Sequence, residues 1–136
     1  MTSRRVLVVD DEPYILRSLS YVLRREGLEV HEARTGREAL EKVRAHRPGL
    51  VFLDAMMPEV SGFEVCQEIK ADPSLAGTRV VILTARGQDQ DRGRAAGADL
   101  YLTKPFSPVR IVEIARDLLE EKGSPSPGPA PRGPSA

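Results

Sequence analysis

The feature of this sequence that most limits its fold is a regular alternation between short apolar runs and longer amphipathic segments. Each apolar run is rich in Val, Leu or Ile and has the length of one strand. The runs are residues 6–9, 28–33, 50–53, 80–83 and 100–102. Strands that alternate with helices form βαβ units, whose strands pair into a parallel sheet covered by helices. The sequence therefore predicts an α/β fold with a doubly wound sheet of five parallel strands and five helices.

Capping signals mark the boundaries of the predicted helices. Thr35 followed by Glu38, and Ser61 followed by Glu64, have the spacing of capping boxes, which satisfy free N–H groups in the first turn of a helix. The predicted helices span about 13–26, from the first box to 46, from the second box to 71, about 88–96, and from 107–108 onwards. The fourth is the weakest, because a glycine lies inside it.

The C-terminal segment differs in composition from the rest of the chain. Residues 123–136 are nearly all Pro, Gly, Ser and Ala and contain no apolar periodicity. Such a segment cannot bury enough surface to fold. The sequence therefore predicts one folded domain at residues 4–122, followed by a disordered tail or linker.

Composition excludes several classes of protein. Twenty basic and twenty acidic residues cancel, so the net charge favours neither nucleic acid nor an anionic membrane as a partner. The single cysteine excludes an internal disulfide, and no apolar run is long enough to cross a bilayer. We therefore expect a soluble, cytoplasmic domain without direct contacts to nucleic acid or membrane.

Polar side chains follow four of the five predicted strands. They are Asp10 and Asp11 after the first, Asp54 after the third, Thr84 after the fourth and Lys104 after the fifth. Ligands of such sheets bind beyond the carboxyl ends of the strands, where these side chains would meet. Adjacent aspartates repel each other, and Mg²⁺ would offset that repulsion because it prefers oxygen ligands. A remaining carboxylate can then attack phosphorus, which predicts phosphoryl chemistry at this edge.

Four short motifs occur in order at these strand ends. They are the DD pair, then DAMMPEVSG, then TA, then KPF. Together they resemble the receiver domains of two-component response regulators, and the resemblance covers residues 4–122. It implies a flavodoxin-like, single-domain fold with the strand order 2-1-3-4-5.

The resemblance implies a phosphoryl acceptor and a metal site. Asp54 would be the acceptor. Asp11 would bind Mg²⁺ directly and Asp10 mainly through water. Asp54 and the backbone carbonyl of Met56 would complete the protein ligands.

The resemblance also implies residues that respond to the phosphoryl group. Lys104 would pair with it, and Thr84 would donate a hydrogen bond to it. Tyr101 would be the switch aromatic, which turns inward when Thr84 moves. Pro105 matches a position with a cis peptide bond in the family, and Met56 and Arg86 would flank the approach of the water that removes the phosphoryl group.

The resulting expectation is a signalling switch that is phosphorylated by a sensor histidine kinase or a histidine phosphotransfer protein. Phosphorylation would change the surface of helix 4, strand 5 and helix 5, which contacts an effector; a phosphorylation-linked dimer is an open alternative. The only chemistry expected is self-phosphorylation and autodephosphorylation. Two other functions stay open: a phosphorylation-independent interaction module, and an aspartate-nucleophile phosphohydrolase. The second is disfavoured because Met56 stands where such enzymes usually carry a second carboxylate.

Overall fold

The apolar runs form the strands of one sheet in the computed structural model, which describes residues 4–85 and 90–122. The strands are β1 (Arg5–Val9), β2 (Glu29–Ala33), β3 (Leu50–Asp54), β4 (Arg79–Thr84) and β5 (Leu100–Thr103). The helices are α1 (Pro13–Arg25), α2 (Gly36–His46), α3 (Gly62–Ala71), α4 (Gln90–Ala95) and α5 (Pro108–Lys122), with a 3₁₀ turn at Pro73–Leu75. The predicted start of the fourth helix, at 88, and the predicted tail, 123–136, lie outside the described residues.

The strands are parallel and lie in the order β2-β1-β3-β4-β5. This is the order that the resemblance implied, so that prediction is confirmed. The register pairs Val9 with Leu53, Asp54 with Leu83, and Thr84 with Thr103. The carboxyl ends of β1, β3, β4 and β5 therefore lie at one edge of the sheet.

Helices cover both faces of the sheet, and each face has its own apolar cluster. Alternate side chains of a strand point to opposite faces, so Leu7 and Leu53 pack with α2 and α3, whereas Val8 and Phe52 pack with α1 and α5. Burial on both faces explains why β1, β3 and β4 are almost continuously apolar rather than alternating. Among the described residues, every helix is too short or too polar to cross a lipid bilayer.

Both predicted N-caps form, but only the one at Ser61 is a complete capping box, because the Glu38 carboxylate accepts from the N–H of Arg34 and not from that of Thr35. The Thr35 hydroxyl accepts a hydrogen bond from the backbone N–H of Glu38 at 3.0 Å. The Ser61 hydroxyl accepts from the N–H of Glu64, and the Glu64 carboxylate accepts in return from the N–H of Ser61 at 2.8 Å. The second box begins α3 directly beyond the β3 strand end, and this fixes how the helix approaches Asp54.

Asp99 ties the starts of β4 and β5 to α3. Its Oδ2 atom accepts hydrogen bonds from the backbone N–H of Val80 at 2.8 Å and from Lys70 Nζ at 2.7 Å. The Lys70 ammonium also donates to the Thr78 carbonyl at 3.0 Å. One carboxylate therefore satisfies a strand N–H group and positions a lysine from a helix.

We expect Asp99→Ala to lower the free energy of unfolding by about 2 kcal/mol, because a charged acceptor with two donors is lost. Urea unfolding measures this change. The matched control is Asp91→Ala, whose side chain is 93% exposed and pairs with Arg94 of its own helix. That control is expected to stay close to the unmodified protein. Equal effects of the two changes would contradict the role of Asp99.

Candidate functional site

Three carboxylates come together at the edge where the strands end. Asp10 directly follows β1, Asp11 comes next, and Asp54 is the last residue of the neighbouring strand β3. One carboxylate oxygen from each lies within 4.8 Å of the others. The parallel pairing of β1 and β3 is what brings Asp10 and Asp54 together, because both strands end at the same level.

Lys104 bridges the two buried carboxylates. Asp10 is fully buried and Asp54 is 5% exposed, whereas Asp11 is exposed to solvent. The Lys104 Nζ atom lies 3.4 Å from Asp10 Oδ2 and 3.3 Å from Asp54 Oδ1. The other oxygen of Asp10, Oδ1, accepts a hydrogen bond from the backbone N–H of Glu12 at 2.8 Å. Asp10 is therefore held from both sides, while Asp11 faces water.

Burial controls the protonation of this cluster. Desolvation, together with the neighbouring charge of Asp10, raises the pKa of Asp54 to about 6, and the Lys104 ammonium opposes this rise. Burial likewise raises the pKa of Asp10, against the opposing effects of the Glu12 N–H and Lys104. Burial disfavours the ammonium of Lys104, but the combined charges of Asp54 and Asp10 raise its pKa. At neutral pH Asp54 is therefore largely ionised, beside the positive charge of Lys104.

Thr84 and Tyr101 lie on the next two strands. Thr84 is the last residue of β4 and is fully buried, and its carbonyl accepts a hydrogen bond from the Lys104 backbone N–H at 2.6 Å. Tyr101 lies on β5, where it pairs with Ile82 of β4. Its half-buried ring packs against the apolar cluster of the α2 and α3 face. The structure thus places Thr84 at the same edge as the carboxylates and Tyr101 further back along the outermost strand.

The remaining predicted residues lie in the loops of this edge. Met56 comes two residues after Asp54, and its side chain is 51% exposed. The peptide bond between Lys104 and Pro105 is cis, as the resemblance implied. Arg86 lies outside the described residues.

The sequence reasoning missed two features of the site. It assigned no role to Gly62 beyond its place in a capping box, yet the first turn of α3 lies against the backbone of the Asp54 strand end. An ideal Cβ at Gly62 would lie 2.1 Å from the Asp54 carbonyl oxygen, and the Gly62 N–H donates to the Ala55 carbonyl at 2.9 Å. It also missed the Glu12 N–H as a donor to Asp10, although a short turn after an aspartate commonly forms this bond.

The donor set fits a hard divalent cation. Carboxylate oxygens are the ligands that Mg²⁺ and Ca²⁺ prefer, and Mg²⁺ needs only one or two of them because it keeps several waters. The described residues around the three carboxylates place no histidine or thiol among the ligand atoms of this cluster. Its chemistry is therefore that of oxygen ligands only.

Comparisons with known proteins agree with this geometry. The family described as "Response regulator receiver domain" matches residues 6–116. The alkaline phosphatase synthesis transcriptional regulatory protein PhoP of Bacillus subtilis is 38% identical over 119 residues, which are 86% of this chain and 49% of that protein. The transcriptional regulatory protein SrrA of Staphylococcus aureus is 38% identical over 124 residues, covering 90% of this chain and 50% of that protein. The chain thus spans about half the length of these curated relatives.

Solved structures of similar proteins have the same fold. The chemotaxis response regulator CheY4 of Vibrio cholerae superposes with a TM-score of 0.80 at 32% identity, covering 87% of this chain and 100% of that one. A CheY-like receiver domain protein from Methanospirillum hungatei superposes with a TM-score of 0.82 at 29% identity, covering 90% and 98%. From the match to the family over residues 6–116 and the shared strand order, the chain belongs to the receiver domains of two-component response regulators.

Proposed function

We propose that this chain is a phosphorylation switch whose acceptor is Asp54. The phosphoryl group would come from the phosphohistidine of a sensor kinase or of a phosphotransfer protein. The observation that carries the proposal is the cluster of three carboxylates with Lys104 between its two buried members. This arrangement has the groups that phosphoryl transfer needs: a nucleophile, ligands for a cation and a second positive charge.

The transfer makes one bond and breaks one. An oxygen of the Asp54 carboxylate attacks phosphorus, the bond between phosphorus and the donor histidine nitrogen breaks, and the histidine keeps the electron pair. The attacking carboxylate must be ionised. Because the pKa of Asp54 is raised only to about 6, most of the protein carries the reactive form at neutral pH.

Four residues would hold Mg²⁺ at this site. They are Asp10 (mainly through water), Asp11, Asp54 and Met56 through its carbonyl oxygen. The chemistry that Mg²⁺ supplies when bound is positive charge, which offsets repulsion among the carboxylates and between them and the phosphoryl oxygens. Exposed Asp11 is suited to direct coordination. Asp10 has less freedom, because one of its oxygens already accepts from the Glu12 N–H.

Lys104 and Thr84 would recognise the transferred group. Lys104 Nζ already lies 3.3 Å from an oxygen of the acceptor, so it can pair with a phosphoryl group there after a small movement. The Thr84 hydroxyl would donate a hydrogen bond to the same group. The two residues lie at the ends of neighbouring strands, and the Lys104 N–H donates a hydrogen bond to the Thr84 carbonyl.

The response would appear on the surface formed by α4, β5 and α5. Phosphorylation would favour one of two pre-existing conformations by new contacts at Thr84 and Lys104, with Tyr101 following the movement. We infer protein partners for this surface: the kinase or phosphotransfer protein, a downstream effector, and a second phosphorylated copy as an alternative. PhoP and SrrA are named as transcriptional regulators, but the balanced charge of this chain favours no direct contact of the receiver with nucleic acid. The cytoplasm is the proposed location.

A phosphohydrolase is the weaker alternative. Such an enzyme would use an acid or base near the nucleophile, and the exposed Met56 thioether cannot transfer a proton. We therefore propose no turnover of other substrates beyond self-phosphorylation and loss of the phosphoryl group to water.

Intact-mass spectrometry after incubation with acetyl phosphate tests the proposal. We expect one added phosphoryl group in the unmodified protein with Mg²⁺, and none with a chelator or in Asp54→Ala. Asp91→Ala, which removes an exposed carboxylate of α4 that is not part of the cluster, is expected to behave as the unmodified protein. Transfer to Asp54→Ala would exclude Asp54 as the acceptor. Absence of transfer under every condition would favour the phosphorylation-independent interaction module, and turnover of a generic phosphoester would favour the hydrolase.

A further inference from the structure

The ring of Tyr101 lies directly against Gly93, in the middle of α4. An ideal Cβ at Gly93 would lie 2.7 Å from Tyr101 Cδ1 and 3.2 Å from Tyr101 Cε1. The first distance is shorter than real Cβ contacts, and the second is tighter than most. The two residues are therefore packed in a way that only glycine at position 93 permits.

Backbone conformation does not explain the glycine. Gly27 and Gly97 have positive φ angles, which favour glycine, but Gly93 does not. It occupies an ordinary helical position in a helix of six residues, where glycine weakens the helix compared with alanine. The close approach of the Tyr101 ring is the feature that accounts for glycine there.

Contacts with α3 hold α4 at this place. The Arg92 guanidinium lies over the Phe63 ring, 4.2 Å from its centroid. The Phe63 ring also lies close to Gly93, with its Cε1 atom 3.8 Å from the ideal Cβ position. A side chain added at Gly93 therefore meets the Tyr101 ring on a helix that is itself anchored by the Arg92 contact. The atoms that an added Cβ would overlap belong to the Tyr101 side chain, and rotation about χ1 can relieve the overlap without moving the backbone.

We propose that Gly93 is a positioning residue for Tyr101: it leaves the space into which the ring packs, and a side chain at this position turns the ring away from α4. The regulatory meaning rests on the function proposed above, in which Tyr101 follows phosphorylation. A single methyl group at position 93 would then change the resting conformation of the switch. It would do so without altering any residue of the acidic cluster.

Fluorine NMR of protein labelled with 3-fluorotyrosine tests the position of the ring. The chain contains three tyrosines, and Tyr14 and Tyr21 are 80% and 59% exposed, so they serve as internal references. Loss of one signal in Tyr101→Phe assigns the third. In Gly93→Ala we expect only the Tyr101 signal to move, towards the shifts of the exposed tyrosines. The control Ala95→Gly removes a methyl group at an exposed position of α4, and in this variant the chemical shift of Tyr101 should not change. An unmoved Tyr101 signal in Gly93→Ala would overturn the proposal.

A double-mutant cycle separates ring contact from helix propensity. With Tyr101 present, Gly93→Ala is expected to raise the equilibrium constant for urea unfolding. In a Tyr101→Ala background the same change should lower that constant by roughly fivefold, because only the gain in helix propensity remains. Equal effects in both backgrounds would show that the ring does not depend on Gly93 and would overturn the proposal.

Acetyl phosphate with Mg²⁺ links the packing to the switch. We expect phosphorylation to move the Tyr101 signal of the unmodified protein, and to move it less in Gly93→Ala, where the ring is already displaced. A Tyr101 signal that is insensitive to phosphorylation would overturn the switch role of Tyr101. The resting-state measurements on Gly93→Ala would still decide the packing role, so the two failures are distinguishable.

Discussion

Replacing Gly62 with alanine will lower the free energy of unfolding by about 3 kcal/mol. The added Cβ would lie 2.1 Å from the Asp54 carbonyl oxygen and 2.9 Å from the Ala55 Cα atom. These are backbone atoms at the end of a central strand, so no side-chain rotation can relieve the overlap. Either α3 moves away or the end of β3 is distorted, and the hydrogen bond from the Gly62 N–H to the Ala55 carbonyl is strained in both cases.

Urea unfolding of Gly62→Ala beside Gly27→Ala checks this prediction. Gly27 has a φ angle of +83°, and the nearest atom to its ideal Cβ is an Arg4 nitrogen at 3.6 Å. The control therefore adds the same methyl group at ordinary van der Waals distance from its neighbours and costs only the left-handed backbone conformation, about 1 kcal/mol. If Gly62→Ala were no more destabilising than Gly27→Ala, the close approach of α3 to the end of β3 would be wrong.

Asp54→Asn is expected to stabilise the metal-free protein by about 2 kcal/mol at neutral pH, because the buried carboxylate no longer has to ionise. The pKa of Asp54 rises from an ordinary value of 3.8 to about 6 in the folded protein, so the folded state binds its proton more tightly than the unfolded chain. The contribution of this group to the free energy of unfolding is therefore largest at low pH. It falls as the pH rises from about 4 to about 6 and stays low above that range.

Urea unfolding in the presence of a chelator, at about pH 4 and about pH 7, measures the effect. The stability difference between Asp54→Asn and the unmodified protein should be small at the lower pH and large at the higher pH. Asp11→Asn is the matched control, since it removes a carboxylate of the same cluster that is exposed to water, and we expect a smaller change. A stability difference that is the same at both pH values would argue against a burial cost at Asp54. Added Mg²⁺ should stabilise the unmodified protein more than Asp54→Asn, because the ion binds only the folded state.

The fold was predictable from the sequence because its signals are local and repeated. Each predicted strand is found within one or two residues of its expected bounds, since a buried parallel strand must be apolar on both faces. The capping box at Ser61 also forms as predicted, whereas Thr35 caps its helix without the reciprocal bond from Glu38. The strand order was not readable from these patterns, because any right-handed arrangement of βαβ units has the same local signals. It came from the resemblance alone.

The candidate site was predictable in part. The approach of Asp10 to Asp54 follows from parallel strands ending at one edge, and the structure brings these residues together with Asp11. The reach of Lys104 to both carboxylates depends on the path of the loop after β5, which residue spacing does not determine. The contacts of Gly62 with the Asp54 backbone and of Gly93 with Tyr101 each join a strand to a helix across a connecting loop, so no helix or strand periodicity indicates them.

The position of the strands within the sheet separates two mechanical roles. β3, which carries the proposed acceptor, is hydrogen-bonded to a strand on each side, whereas within residues 4–85 and 90–122 β5, which carries Tyr101, has only β4 beside it. A strand with two neighbours is stiff, while a border strand can shift by disturbing hydrogen bonds on one side only. Substitutions that alter β5 can then leave the geometry of β3 unchanged. Under the proposed function, substitutions around β5 could change which partner is recognised while the geometry of the acidic cluster at the end of β3 stays the same.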